Sequence, residues 1–221
     1  MKVEALYKDI ERKGKNKIET YTEEIDEWIE NKNDRRMGIA LTIRPTKEIK
    51  DAIEKIENEI KKVEPNQYYY PQTDYHITLL GIITARQGFQ YTHKQLENLK
   101  KATGEAIKYA KKFTIKFDGI ICSGGAIMVK GFYDNEMESI RKNLRQAILD
   151  HHLKLDERYP TMSSHITIGR FKKPIENREG LIEYLQKYNH FDFGEFVVGE
   201  IELVYHNWYD SKKEILEKYH L

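Results

Sequence analysis

Tyr70-Pro71-Gln72-Thr73-Asp74-Tyr75-His76-Ile77-Thr78 returns 89 positions later as Tyr159-Pro160-Thr161-Met162-Ser163-Ser164-His165-Ile166-Thr167. Both copies of Y-P-x-x-x-x-H-I-T run on into apolar residues, Leu79-Leu80 and Ile168, and then a glycine, Gly81 and Gly169. A lone H-I-T carries little weight. The duplicated context implies a protein of two related halves, each presenting one His and one Thr. His-Ile-Thr-Leu reads as a short β-strand, β-branched and alternating polar with apolar. Residues i and i+2 of a strand share a face. His76 and Thr78 therefore project together, as do His165 and Thr167, while Ile77, Leu79, Ile166 and Ile168 face the interior. Packed about a pseudo-twofold axis, the halves bring four polar side chains to one cleft.

Histidine serves as acid or base near neutral pH. Two imidazoles across a phosphate could take a proton from the attacking oxygen and give one to the leaving oxygen. Threonine hydroxyls would hold the non-bridging oxygens. Such a pair predicts a bell-shaped pH profile with both limbs near 6.5, moved apart by mutual influence.

The repeat extends outward from the motif. Met37–Ile43 is an apolar strand, followed by a helix from Thr46 to about Val63 with Ile49, Ile53, Ile56 and Ile60 at helical spacing. In the second half Ala126–Phe132 is the strand and Asp134–Asp150 the helix, with Met137, Ile140, Leu144 and Ile148 on one face. Each half continues with a further helix, Thr92–Lys111 and Glu176–Tyr188, and a closing strand, Phe113–Ile121 and Phe196–Tyr205. The expected architecture is α+β and bilobal: two pseudo-symmetric β-α-β-α-β halves with antiparallel sheets lining a central cleft. The halves run about 37–122 and 125–205 within a domain of 36–221, with room for elements exchanged between lobes. Residues 1–35 form an N-terminal extension. Ile18, Tyr21, Ile25, Trp28 and Ile29 predict a helix there from about Lys17 to Asn31, docked on the body.

Composition narrows the class. The chain has 221 residues, ample for one two-lobed core, and no apolar stretch of membrane-spanning length. With no apolar leader in its Glu- and Lys-rich first residues, the cytoplasm is the expected compartment. The one cysteine, Cys122, excludes an internal disulfide framework and reads as a buried small hydrophobe. A net charge of +1 gives no bulk attraction to long nucleic acid, and favours a nucleotide or short oligonucleotide over a duplex. The charged run Lys47–Lys62 reads as a solvated helix face with i,i+4 pairs. Thr42 and Lys130, at matching places on the paired strands, read as solvated edges.

The paired motifs resemble those of the two-histidine (2H) phosphoesterase superfamily, marked by two H-x-[ST]-x motifs in two lobes. Its members include 2'-5' RNA ligase-like proteins and cyclic phosphodiesterases. The second motif, His165-Ile166-Thr167-Ile168-Gly169-Arg170, resembles the family form H-x-T-L-x-R. The resemblance covers roughly 37–205 and implies His76 and His165 as the acid–base pair, Thr78 and Thr167 as phosphate binders, and Arg170 as a further phosphate contact. It also implies no metal cofactor. Many members carry Pro directly before the second His; here that residue is Ser164.

Around the motifs, Tyr70 and Tyr75 are candidate base-stacking residues in a crowd with Tyr68 and Tyr69. His206, near Trp208, is a candidate for the cleft rim. The expected activity is a metal-independent phosphodiesterase acting on a nucleotide or RNA-end 2',3'-cyclic phosphate, reversible in principle as 2'-5' ligation. The alternatives are a hydrolase of cyclic oligonucleotides or second-messenger nucleotides, and a non-catalytic RNA- or nucleotide-binding module. A zinc hydrolase is disfavoured, because neither His has a third ligand at metal spacing. Expected partners are a nucleotide, short RNA or cyclic nucleotide, with no membrane and no obligate protein partner.

Overall fold

The apolar strand at Met37 forms β1 (Arg36–Ile43), and the isoleucine-striped segment after it forms α2 (Lys47–Val63) with Ile49, Ile53, Ile56 and Ile60 buried. In the computed structural model, which describes residues 3–221, these begin a sheet of nine strands. The two-residue β2 (Tyr68–Tyr69) and a 3₁₀ turn (Gln72–Asp74) lead into β3 (Ile77–Gln87). Helix α3 (His93–Ile107) opens on a Thr92/Gln95 capping box and is followed by β4 (Phe113–Cys122). The second repeat supplies β5 (Ala126–Tyr133), α4 (Asn135–Asp150), β6 (Ile166–Arg170) and α5 (Arg178–Lys187). The chain ends with β7 (Asp192–Val198), β8 (Glu200–Asn207) and β9 (Lys213–His220).

The strand order is β7-β4-β5-β6-β3-β1-β8-β9, with β2 added beside β6, and every named pairing is antiparallel. The strands thus form two four-stranded curled sheets related by a pseudo-twofold axis. Among the described residues their strands pair with one another where β3 meets β6, at Ile77 and Ile166. The repeats are interleaved: β4 of the first pairs with β5 of the second, and β8 of the second pairs with β1 of the first. One apolar cluster runs through both sheets, from Ile53 and Ile60 of α2, through Ile77, Leu79, Ile166 and Ile168, to Ile140 and Leu144 of α4. Burying each such side chain stabilises the fold by about 1.5–3 kcal/mol.

Three expectations need correction. The N-terminal helix, α1, is Val3–Glu19 rather than Lys17–Asn31. It ends before Tyr21, which takes a left-handed φ of 59°. Residues beyond are irregular turns laid along the body, tied by Glu24 N–H to Gly124 O (2.7 Å) and Asp26 N–H to Phe171 O (2.8 Å). The apolar spacing in that stretch records docking, not helix. Second, Phe196–Tyr205 is not one strand. Gly199 divides it into β7 and β8, which belong to different sheets, and β9 follows where no strand was expected. Third, Thr42 and Lys130 are buried, because β1 and β5 are interior strands; Lys130 donates to the Asn189 carbonyl and side-chain oxygen at 2.8 and 2.7 Å. Cys122 is buried, as its sequence setting implies.

Candidate active site

The junction of the two sheets builds the site. Continuing the antiparallel register one residue either side of Ile77–Ile166 sets His76 opposite Thr167, and His165 opposite Thr78. Ile77 and Ile166 are fully buried, while the four polar residues are partly exposed and line one cleft together with Tyr70, Gly81, Arg158, Arg170, His206 and Trp208.

A pair of bulges extends the cleft face. On β3 the pairing steps from Thr42–Thr78 to Leu41–Leu80, leaving Leu79 extra; on β6 it steps from Met128–Thr167 to Ile127–Gly169, leaving Ile168 extra. An extra residue reverses the alternation beyond it. The residue five after each His, Gly81 or Arg170, therefore returns to the cleft, where strict period-two alternation would have turned it away. The pseudo-symmetry breaks here. Arg170 fills one side, its Nε donating to the Tyr70 hydroxyl at 2.7 Å, whereas a Cβ on Gly81 would meet nothing within 4 Å.

The two imidazoles also have different backing. His76 Nδ1 lies 2.8 Å from the Asp74 carbonyl, which can only accept, so Nδ1 carries the hydrogen and Nε2 is left for a ligand. Behind it, Asp210 Oδ2 is 3.8 Å from Nδ1. Asp210 is fully buried, and its carboxylate also takes His206 Nδ1 (2.8 Å), Arg44 Nη1 (2.6 Å) and Lys213 Nζ (3.2 Å). Burial works against ionisation of this group, but the His206 hydrogen bond, His76 and Arg44 together hold it far below the usual carboxylate range. His165 Nδ1 is backed instead by the Ser163 hydroxyl at 2.8 Å. Burial lowers both histidines to about 4: for His76 against the pull of Asp210, for His165 with His76, Arg170 and Arg141 adding to the effect. Both lie below the value of 6.5 about which the expected limbs were placed.

Ser164, directly before the second motif's His, where the family resemblance implied a Pro, is fully buried. Its N–H donates to the Tyr7 hydroxyl of α1 (3.2 Å) and its own hydroxyl donates to Gly131 O (2.7 Å). Proline has no N–H for this contact.

Of the stacking candidates, Tyr70 lines the cleft. Tyr75 does not: its ring is fully buried and its hydroxyl bonds Glu57 of α2. Tyr75 lies between His76 and the interior on the face shared with Ile77, which alternation itself demands. His206 lies in the cleft wall, its ring 6.0 Å from that of His76. Sequence reasoning missed Asp210, Trp208 and Arg158. Trp208 carries three guanidinium groups near its ring, those of Arg36, Arg158 and Arg170 at 5.4–5.5 Å. These residues occur once, outside the duplicated context; the only signal was the nearness of Trp208 and Asp210 to His206, and of Arg158 to the start of the second motif.

Two curled antiparallel sheets that meet edge to edge at their H-x-T strands are the arrangement the two-histidine phosphoesterase resemblance implies. The family model of the 2'-5' RNA ligase superfamily matches residues 45–209, and the chain belongs to that superfamily. An RNA 2',3'-cyclic phosphodiesterase of Methanocaldococcus jannaschii is 32% identical over 94 residues, which is 42% of this chain and 52% of that protein. The match thus spans about half the length of that relative. The fold is shared with TT0787 of Thermus thermophilus (TM-score 0.63, 15% identity, covering 83% of this chain and 97% of that one). It is also shared with E. coli LigT complexed with 3'-AMP (TM-score 0.59, 13% identity, covering 85% and 99%). The family is one of phosphoesterases. Among the described residues, no helix is long and apolar enough to cross a membrane.

Proposed function

We propose that this protein is a cytoplasmic phosphodiesterase that opens a 2',3'-cyclic phosphate at an RNA end, with His76 and His165 as its acid–base pair. The observation that carries the reading is the Ile77–Ile166 junction, which gives both H-x-T strands to one cleft. In hydrolysis, neutral His165 takes a proton from water as the water oxygen attacks phosphorus. The bond from phosphorus to one ribose oxygen breaks, and protonated His76 gives that oxygen its proton. The asymmetric backing supports this assignment: a carboxylate and a carbonyl behind His76 favour its cation, while the arginines near His165 favour its neutral form. Thr78, Thr167 and Arg170 hold the non-bridging oxygens as charge develops. With a ribose hydroxyl attacking phosphorus in place of water, the same groups would open the cyclic phosphate into a phosphodiester, the ligation reaction.

An RNA end is favoured over a free nucleotide by Arg158 and Trp208 at the cleft mouth, where an indole and a guanidinium suit a further base and phosphate. The test is turnover of 2',3'-cyclic mononucleotides, oligoribonucleotides ending in a cyclic phosphate, 2'-5'-linked oligonucleotides and cyclic dinucleotides, all with chelator present. The terminal cyclic phosphate on an oligonucleotide should have the highest kcat/KM. Turnover confined to cyclic dinucleotides, or none, would refute the reading.

A further inference from the structure

Arg141 lies inside α4, in the apolar stripe with Met137, Leu144 and Ile148, and is only 2% exposed. An arginine in such a place normally meets a carboxylate. Arg141 meets backbone carbonyls instead. Its Nε donates to Leu79 O at 2.7 Å, and its Nη2 to Thr78 O at 3.3 Å and Ser163 O at 2.6 Å. Its Nη1 donates to Met162 O at 3.0 Å, and the guanidinium lies 5.0 Å from the Tyr133 ring centroid. Two of the acceptors belong to the strand that carries Thr78 and the Leu79 bulge. The other two lie three and two residues before His165.

The Leu79 carbonyl belongs to the bulged residue, and Met162 and Ser163 lie outside any strand. Acceptors of this kind, if buried, need a partner from elsewhere. One planar fork of donors reaches both sides of the junction, a geometry no other side chain offers. Because β3 and β6 share a single register pair, this fork is a second tie between the two motif strands beside the cleft. Among the described residues Arg141 forms no ion pair with a carboxylate; the titratable side chains acting most on it are Tyr133, Arg145 and Tyr7, and Arg145 is itself paired with Glu157.

We propose that Arg141 is a positioning residue for the paired histidines: it fixes the separation of the two motif strands and places a buried positive charge behind the phosphate-binding cleft. The proposal rests on the paired-imidazole reading above, so part of its test is read without turnover. Arg141→Lys keeps the charge but cannot span four carbonyls; Arg141→Gln loses the charge as well. With thermal unfolding and circular dichroism confirming folded protein, Arg141→Lys should lower kcat by about tenfold or more through misplacement, with little change in KM. Arg141→Gln should do the same and also weaken competitive inhibition by inorganic phosphate. Imidazole titration by NMR should show the His165 pKa rising in Arg141→Gln and not in Arg141→Lys. If the Gln form does not fold, the Lys form carries the kcat-against-KM test. The proposal is overturned if the folded variants keep wild-type kcat, phosphate affinity and His165 titration. Absence of turnover in the wild type would refute the proposed function alone, since the NMR and phosphate measurements would still report on Arg141.

Discussion

The Tyr7 hydroxyl accepts the backbone N–H of Ser164 at 3.2 Å, one residue before His165, and also accepts Gly131 N–H at 3.1 Å while donating to Gly131 O at 3.0 Å. Helix α1, which has no counterpart in the repeat, thereby holds the approach to one member of the histidine pair. Its close seating is fixed lower down, where a Cβ on Gly14 would stand 2.2 Å from the Cys122 carbonyl oxygen. Tyr7→Phe leaves two buried N–H groups without their partner. It should lower stability by about 1–3 kcal/mol in denaturant unfolding, and reduce kcat more than it raises KM.

His76→Ala and His165→Ala should each reduce turnover by about 10²-fold or more, as expected for a lost general acid or base. The double variant should be little worse than the poorer single, since the two act as a unit. Thr78→Ala and Thr167→Ala should cost about 1–3 kcal/mol in transition-state stabilisation. Steady-state kinetics on the folded variants decides this, and full activity after either His substitution would end the two-histidine mechanism.

With both histidines lowered to about 4 in the free protein, kcat/KM should peak on the acid side of 6.5 and fall toward neutrality as the acid loses its proton. The phosphate's negative charge favours both cations, so the kcat profile should lie at higher pH than the kcat/KM profile. Stability follows the same shifts. Between pH 6.5 and about 4 the unfolded chain binds protons at these positions and the folded protein does not, so stability falls as pH falls through that window. The His76→Gln/His165→Gln protein should lose part of this acid sensitivity in urea unfolding followed from neutral pH down to about 4.5.

Gly81 occupies the pseudo-symmetric counterpart of Arg170, with open space before it. Gly81→Leu should leave the unfolding midpoint nearly unchanged while raising KM for oligonucleotide substrates several-fold, because it fills the cleft and not the core. An unchanged KM would show that substrate does not pass this side.

Excess EDTA should leave the rate unchanged, since the cations facing the proposed phosphate site are protein side chains. His206 and Asp210 are engaged with one another and with Arg44 and Lys213, and among the described residues no three His, Cys, Asp or Glu side chains are placed to hold a metal ion. Loss of activity with chelator and its return with zinc or manganese would contradict the mechanism.

Most of the fold was legible because the repeat wrote each element twice: the strands at Met37 and Ala126, the helices after them and the H-I-T strands all lie within a few residues of expectation. That His76, Thr78, His165 and Thr167 share one cleft was legible for the same reason. Tyr75 was misjudged by its nearness in sequence to His76, although adjacent strand residues face opposite sides. Asp210, Trp208 and Arg158 come from a turn and a loop with no repeated pattern, and only tertiary folding brings them to the cleft. Arg141 did leave a trace, a charged residue at the helical spacing of Met137, Leu144 and Ile148, on the face that the helix turns to the core. Thr42 and Lys130 were misplaced because strand order, which decides what is an edge, depends on pairings far apart in sequence.

That strand order has a consequence for how such a chain could have come about. A single repeat holds two strands of one sheet and sends its third, β4 or β8, into the other. Alone it would leave a gap beside β1 or β5 with nothing to close it. Two separate copies trading that strand would reproduce the same two sheets, with one histidine from each and a cleft shared across the axis. In one continuous chain the two histidine motifs can differ, and Gly81 facing Arg170 is a place where they do.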